Sequence, residues 1–193
     1  MHTKEKIKHE STELFATLGY EGTSMAHIAE RVGIKKPSLY AHYKNKEALF
    51  LDLVMDMSLD YVTFIEGSLG QGNVPIEKQL YQAFITYVHD WTQDNPANQF
   101  YSRFLQYPPQ QLAEPLKEML SESERKVRAL FSVVMKDGQK QGILTTELDS
   151  ETMAYTYFAL IEGLVTEVVF YTPDEISKQA EESWNVYWRG IRA

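Results

Sequence analysis

The chain has no cysteine among its 193 residues. That excludes a disulfide framework and thiolate chemistry, and it fits a reducing compartment. Three further patterns are missing: the P-loop, the G-x-G-x-x-G turn and the H-E-x-x-H zinc helix. The five histidines, at positions 2, 9, 27, 42 and 89, share no helix face with carboxylates at ligand spacing. No metal site, no cofactor and no enzymatic centre is therefore expected. Long apolar runs are absent too. The most apolar stretch, residues 157–171, is interrupted by Glu162 and Glu167, which makes it a poor membrane span. The opening MHTKEKIKHESTELF is charged and has no signal-peptide core. A cytoplasmic protein without membrane contact is expected.

What is present begins with charge. The net charge of −8 argues at first against a nucleic-acid partner, but it is unevenly distributed. Residues 1–46 hold eight Lys/Arg against five Asp/Glu, and residues 47–193 hold eleven against twenty-two. A basic end can meet phosphates while the acidic remainder keeps the protein dispersed.

Apolar residues step by three and four almost throughout, and no segment alternates with period two or repeats. The pattern predicts an all-α chain of about nine helices. The first runs from Lys4 to Leu18 and is ended by Gly19. A long fourth helix starts near Lys46, and GSLGQGNVP at 67–75 reads as a linker. Later helices are expected over 76–92, around Phe100–Leu105, from Leu116 to Gly138 or Gly142, and over 150–171 and 174–191.

Residues 24–46 carry the most specific signal. Ser24 can cap a helix beginning at Met25, whose inner face is Ile28, Ala29 and Val32. Gly33 can end that helix in the left-handed region, and Ile34 plugs the turn. Pro37 suits the first turn of the next helix, which faces inward with Leu39 and Tyr43. Its other side offers Lys36, Ser38, Tyr40 and His42, donors suited to phosphates and base edges. A helical hairpin that only builds core is the competing reading.

The stretch T-S-M-x-x-I-A-x-x-V-G-I-x-x-P-S-L-Y-x-H-Y-x-x-K-x-x-L, from Thr23 to Leu49, resembles the tetracycline-repressor (TetR) family of bacterial transcriptional regulators. The resemblance covers the first quarter of the chain. It implies a three-helix DNA-binding unit over residues 1–46 with a helix-turn-helix. It also implies a C-terminal helical bundle over 47–193 for ligand binding and dimerisation. By position, Lys36, Pro37 and Ser38 match base-reading residues, Tyr40 and His42 match groove or phosphate contacts, and Ser24 and Lys46 match phosphate contacts at helix starts. Lys35 stands where the family often has a small capping residue, so it weakens the cap or adds a phosphate contact. The implied protein is a homodimeric, ligand-released repressor on a near-palindromic operator in double-stranded DNA. The alternative is a structural or partner-controlled DNA-binding protein of the same fold without an inducer.

Aromatic residues are dense in the C-terminal part. Tyr61, Phe64, Tyr87, Trp91, Phe104, Tyr107 and Phe158, with Glu162, are the candidates for binding an aromatic, lipophilic or cationic effector. Core packing is the other use of such stripes. The eighth helix is apolar on two sides, and the last carries two tryptophans. Tyr157, Leu160, Leu164 and Val168, with Trp184, Tyr187 and Trp188, are the candidate dimer interface. Docking of the last helix within its own chain competes with that assignment.

Overall fold

The computed structural model describes residues 2–70, 74–93 and 95–193. Among them are nine α-helices: α1 (Thr3–Gly22), α2 (Met25–Val32), α3 (Lys36–His42), α4 (Lys46–Leu69), α5 (Ile76–Trp91), α6 (Pro96–Gln106), α7 (Ala113–Lys140), α8 (Ser150–Thr166) and α9 (Pro173–Ile191). Extended pairing among the described residues amounts to one isolated bridge between Leu144 and Arg192. Of the linker expected over 67–75, residues 71–73 lie outside the described residues.

Punctuation follows side-chain chemistry. Ser24 accepts the His27 N–H at 3.2 Å, Asn95 accepts the Ala97 N–H at 2.8 Å, and Asp149 accepts from Glu151 and Thr152. Each satisfies an N–H that its helix cannot. Gly19 breaks the first helix where expected, with φ of 71° and ψ of 178° that suit only glycine, and one further turn follows to Gly22. One expected helix end differs. In place of the expected end near 171, α8 stops at Thr166 and tightens into a 3-10 turn over Glu167–Val169.

The chain packs as two compact units, Met1–Asp60 with Asp94–Glu122, and Tyr61–Gln93 with Ser123–Ala193. This division by packing differs from the functional division expected at 46/47. The reason is that Phe100, Phe104, Leu112 and Leu116 share a core with Ile7, Phe15 and Leu39. In that first unit Phe50 is the hub, with ring centroids 5.0 Å from Phe15 and Tyr20, 5.2 Å from Phe100 and 6.0 Å from Phe104.

In the second unit α5, α8 and α9 pack on one another. Tyr157 lies at the centre, with centroids 4.6 Å from Phe131, 5.5 Å from Phe84 and 5.8 Å from Tyr187. Its phenol donates to the Leu80 carbonyl at 2.8 Å, and that of Tyr187 donates to the Met153 carbonyl at 2.7 Å. Burial pushes both phenols far above their usual range, so each stays a neutral donor.

Candidate nucleic-acid interface

The helix pair forms as its residues require. Gly33 has φ 77° and donates its N–H to the Glu30 carbonyl at 3.0 Å, while the Ile34 N–H reaches Ala29 at 2.9 Å. Both bonds close the end of α2. Ile28, Ala29 and Val32 are buried with Leu39. Lys35 stands at the N-cap of α3 without a side-chain cap bond, as its stem and ammonium provide no acceptor.

Lys35, Lys36, Pro37, Ser38, Tyr40 and His42 are all exposed, and so is Ser24. Tyr40 is 49% exposed, whereas Leu39 beside it is 0% exposed. The two-turn helix and its N-cap thus expose two ammonium groups, a hydroxyl, a phenol and an imidazole around the buried Leu39. Such an outward strip can donate to phosphate oxygens and to base acceptors in a major groove. Tyr43 is buried, as its inward spacing with Leu39 expects.

Lys46 is engaged within its own unit. Its Nζ donates to the Tyr20 carbonyl at 2.6 Å and the Thr23 carbonyl at 3.0 Å, and it lies 4.0 Å from the Tyr20 ring centroid. Two of the three ammonium donors thus cap the end of α1. A buried carbonyl needs a donor, and Lys46 is the cation within reach. Two lysines of the first helix are also engaged: Lys8 lies 2.8 Å from Asp52, and Lys4 lies 3.6 Å from the same oxygen.

Two residues with no sequence signal brace the unit. Arg103 on α6 donates from Nη1 to the Ala16 and Thr17 carbonyls, each at 3.0 Å. A Cβ at Gly19 would lie 2.9 Å from its Nε, so the kink and the bracing go together. Asp52 on α4 accepts the Tyr43 phenol at 2.7 Å. Both contacts join different helices, 87 residues apart for Arg103 and Ala16 and nine for Tyr43 and Asp52, where periodicity is silent.

The eight effector candidates are not brought together. Tyr61, Phe64 and Trp91 surround Tyr87 at centroid distances of 5.8, 6.3 and 6.1 Å. Phe158 instead packs edge-on to Phe131 at 4.8 Å. Phe104 belongs to the core of the first unit, and Tyr107 is exposed. Glu162 is on the outside of α8. Desolvation raises its carboxyl pKa, helped by Glu124 and opposed by Arg128. A separate groove of about 740 Å³ runs between α7 and α8, lined among others by Arg128, Ser132, Lys136, Thr152 and Tyr155. None of the eight candidates lines it.

The dimer candidates also divide. Tyr157, Leu164, Trp184 and Tyr187 are buried in their own unit, so their area is already covered before any second chain arrives. The intramolecular docking of α9 explains them. Leu160 and Trp188 are half-buried, and Val168 is exposed. Among the described residues no group of His and carboxylates is arranged to hold a metal, and no helix is long and apolar enough to cross a membrane.

Comparison with known proteins agrees with this geometry. Residues 7–53 match the family described as bacterial regulatory proteins, tetR family. The negative transcriptional regulator IcaR of the biofilm operon icaADBC from Staphylococcus epidermidis is 39% identical over 62 residues. That match covers 32% of this chain and 34% of IcaR, so the chain spans about a third of that relative's length. A TetR transcriptional regulator from Chloroflexus aurantiacus superposes with a TM-score of 0.81 at 19% identity, covering 98% of this chain and 96% of that one. FadR from Bacillus subtilis, solved with stearoyl-CoA, superposes at 0.73 and 18% identity, covering 93% and 96%. The structural likenesses support the all-α fold of the described residues. Over residues 7–53 the chain is thus similar to the tetR family of bacterial regulatory proteins.

Proposed function

We propose that the protein is a sequence-specific DNA-binding transcriptional repressor, acting in the cytoplasm as a homodimer and released by a small molecule. The observation that carries this is the outward strip of α3: Lys36, Ser38, Tyr40 and His42 are exposed around a fully buried Leu39. In this reading Lys36, Pro37 and Ser38 face bases. Tyr40, His42, Lys35 and the Ser24 end of α2 meet the backbone. Lys46 holds the unit together from inside. Two such units would enter successive major grooves about 34–36 Å apart on a near-palindromic operator.

The effector we propose is flat or lipophilic, and the half-buried Tyr61, Phe64 and Trp91 around Tyr87 support that chemistry. The fold-neighbour that holds stearoyl-CoA supports the same class of ligand. Residues 47–193 would carry the effector and the dimer contact. The surfaces left for a second copy are the exposed Val168, Val169 and Phe170 after α8 and Val186 on α9.

The test is selection of duplexes from a random pool, followed by fluorescence anisotropy against nonspecific competitor at two salt concentrations. Competitor-resistant binding to a near-palindrome with a steep salt slope is the expected result. Failure to enrich any duplex overturns the repressor reading. With a duplex in hand, acyl-CoAs and other lipophilic compounds should release it; if none does, partner-controlled regulation replaces the inducer.

A further inference from the structure

Helix α3 has little of its own to hold it. It is seven residues long, and Leu39 is its one buried side chain. Two turns have no independent stability in water, so the tilt of such a helix is set by what its ends are tied to. Its C-terminal end is tied by Tyr43, the residue that caps it. The Tyr43 ring is buried, and its phenol donates to Asp52 Oδ2 at 2.7 Å. The same oxygen lies 2.8 Å from Lys8 Nζ and 3.6 Å from Lys4 Nζ, and Lys8 also reaches Asp56 at 2.5 Å. The Lys4 ammonium stands 5.7 Å from the Tyr43 ring centroid. One carboxylate therefore joins α1, the end of α3 and the second turn of α4.

We infer that Asp52 is a positioning residue for DNA recognition: through the Tyr43 phenol it fixes the tilt of α3, and Lys8 holds the carboxylate in place. The inference rests on the DNA-binding reading above. A hydrogen bond to an ionised acceptor is short and strong, and it constrains direction as well as distance. Burial works against the Asp52 charge, but the bonds from Lys8 and Tyr43 outweigh it and hold the carboxyl below its usual range. The acceptor is thus ionised at neutral pH. Neither Tyr43 nor Asp52 belongs to the outward strip. The brace therefore governs where Lys36, Ser38 and Tyr40 point without adding a phosphate contact. It predicts a loss of discrimination rather than a loss of general DNA affinity.

Tyr43→Phe keeps the ring and removes the bond. Asp52→Asn keeps an acceptor for the phenol and removes the charge. Amide hydrogen exchange over α3 should be compared with anisotropy on the selected duplex and on an unrelated one. In Tyr43→Phe, exchange over residues 39–43 should speed up about tenfold and the selected duplex bind about tenfold more weakly, while the unrelated duplex stays within about twofold. Asp52→Asn should move both readouts the same way by less. Equal losses on both duplexes would overturn the inference, because the pair would then act through stability or phosphate contact alone. Unchanged exchange over α3 would overturn it as well. Should the wild-type protein select no duplex, the DNA-binding reading fails separately, and accelerated exchange in Tyr43→Phe would still support the brace.

Discussion

The two compact units solve the same problem, holding helices together, with different chemistry. Around its aromatic hub at Phe50, the first adds cations on carbonyls and carboxylates. Lys46 and Arg103 cap the two ends of the α1 kink, and Lys8 anchors Asp52. The second uses aromatic rings whose phenols donate to backbone, with Tyr157 and Tyr187 reaching across helices. The contrast shows that residue type alone misleads in both directions. A lysine in a DNA-binding motif can be internal cement, and a tyrosine in a ligand-binding part can be plain core.

The comparison breaks most severely at Tyr157. Tyr157→Ala should lower unfolding free energy by about 3–5 kcal/mol, since it empties a fully buried ring site. Urea denaturation reads this directly, and a loss below about 1 kcal/mol would return Tyr157 to a surface role. Gly19→Ala comes next in the first unit. Its φ of 71° with ψ of 178° is a glycine conformation, and the substitution should cost about 1–3 kcal/mol while disturbing Arg103.

Lys46→Met sharpens the contrast further. The carbonyls of Tyr20 and Thr23 would lose their donor, so thermal stability should fall by about 1–2 kcal/mol. A residue that only gripped phosphate would change the salt slope of DNA binding and leave the melting temperature alone.

Acid should act on the brace. The folded-state pKa of Asp52 lies below the ordinary aspartate value of 3.8, so its contribution to stability is fully present above the unfolded value. It is lost as pH falls through 3.8 and then through the lower folded value. The stability gap between wild type and Asp52→Asn should therefore close as the solution is acidified from about pH 5, as denaturation midpoints measured across that range would show. A gap independent of pH would mean that the carboxylate charge does not contribute. The smallest expected effect on stability is at Lys36→Ala, within about 0.5 kcal/mol, because the side chain is exposed. Its consequence should appear in DNA binding instead, as weaker affinity for the selected duplex and a relaxed preference at the base it faces.

The helix pair was the most legible part of the sequence because its determinants are local. Ser24 reaches an N–H three residues on, and Gly33 acts on its own dihedrals. The aromatic stripes were least legible. Helical spacing tells which side of a helix is apolar, but not whether that side meets a neighbouring helix, a ligand or a second chain. Phe104 and Phe158 carry the same kind of signal, yet one packs against Phe50 and the other against Phe131, in different cores. The end of α8 departs from its expected place for a related reason. The 3-10 turn at Glu167 is not fixed by composition, whereas the break at Gly19 is legible in its missing Cβ.

By itself the sequence determined an all-α chain, the capped turn from Ser24 to Pro37, and an outward strip of donors on the short helix that follows. Each depends on backbone preferences and periodicities that act within a few residues. Tertiary structure alone decided that Lys46 faces two carbonyls, that Tyr43 meets Asp52, and that Tyr157, Trp184 and Tyr187 fill their own unit. A buried polar group must find a partner and a buried ring must find neighbours, and those partners lie far away along the chain.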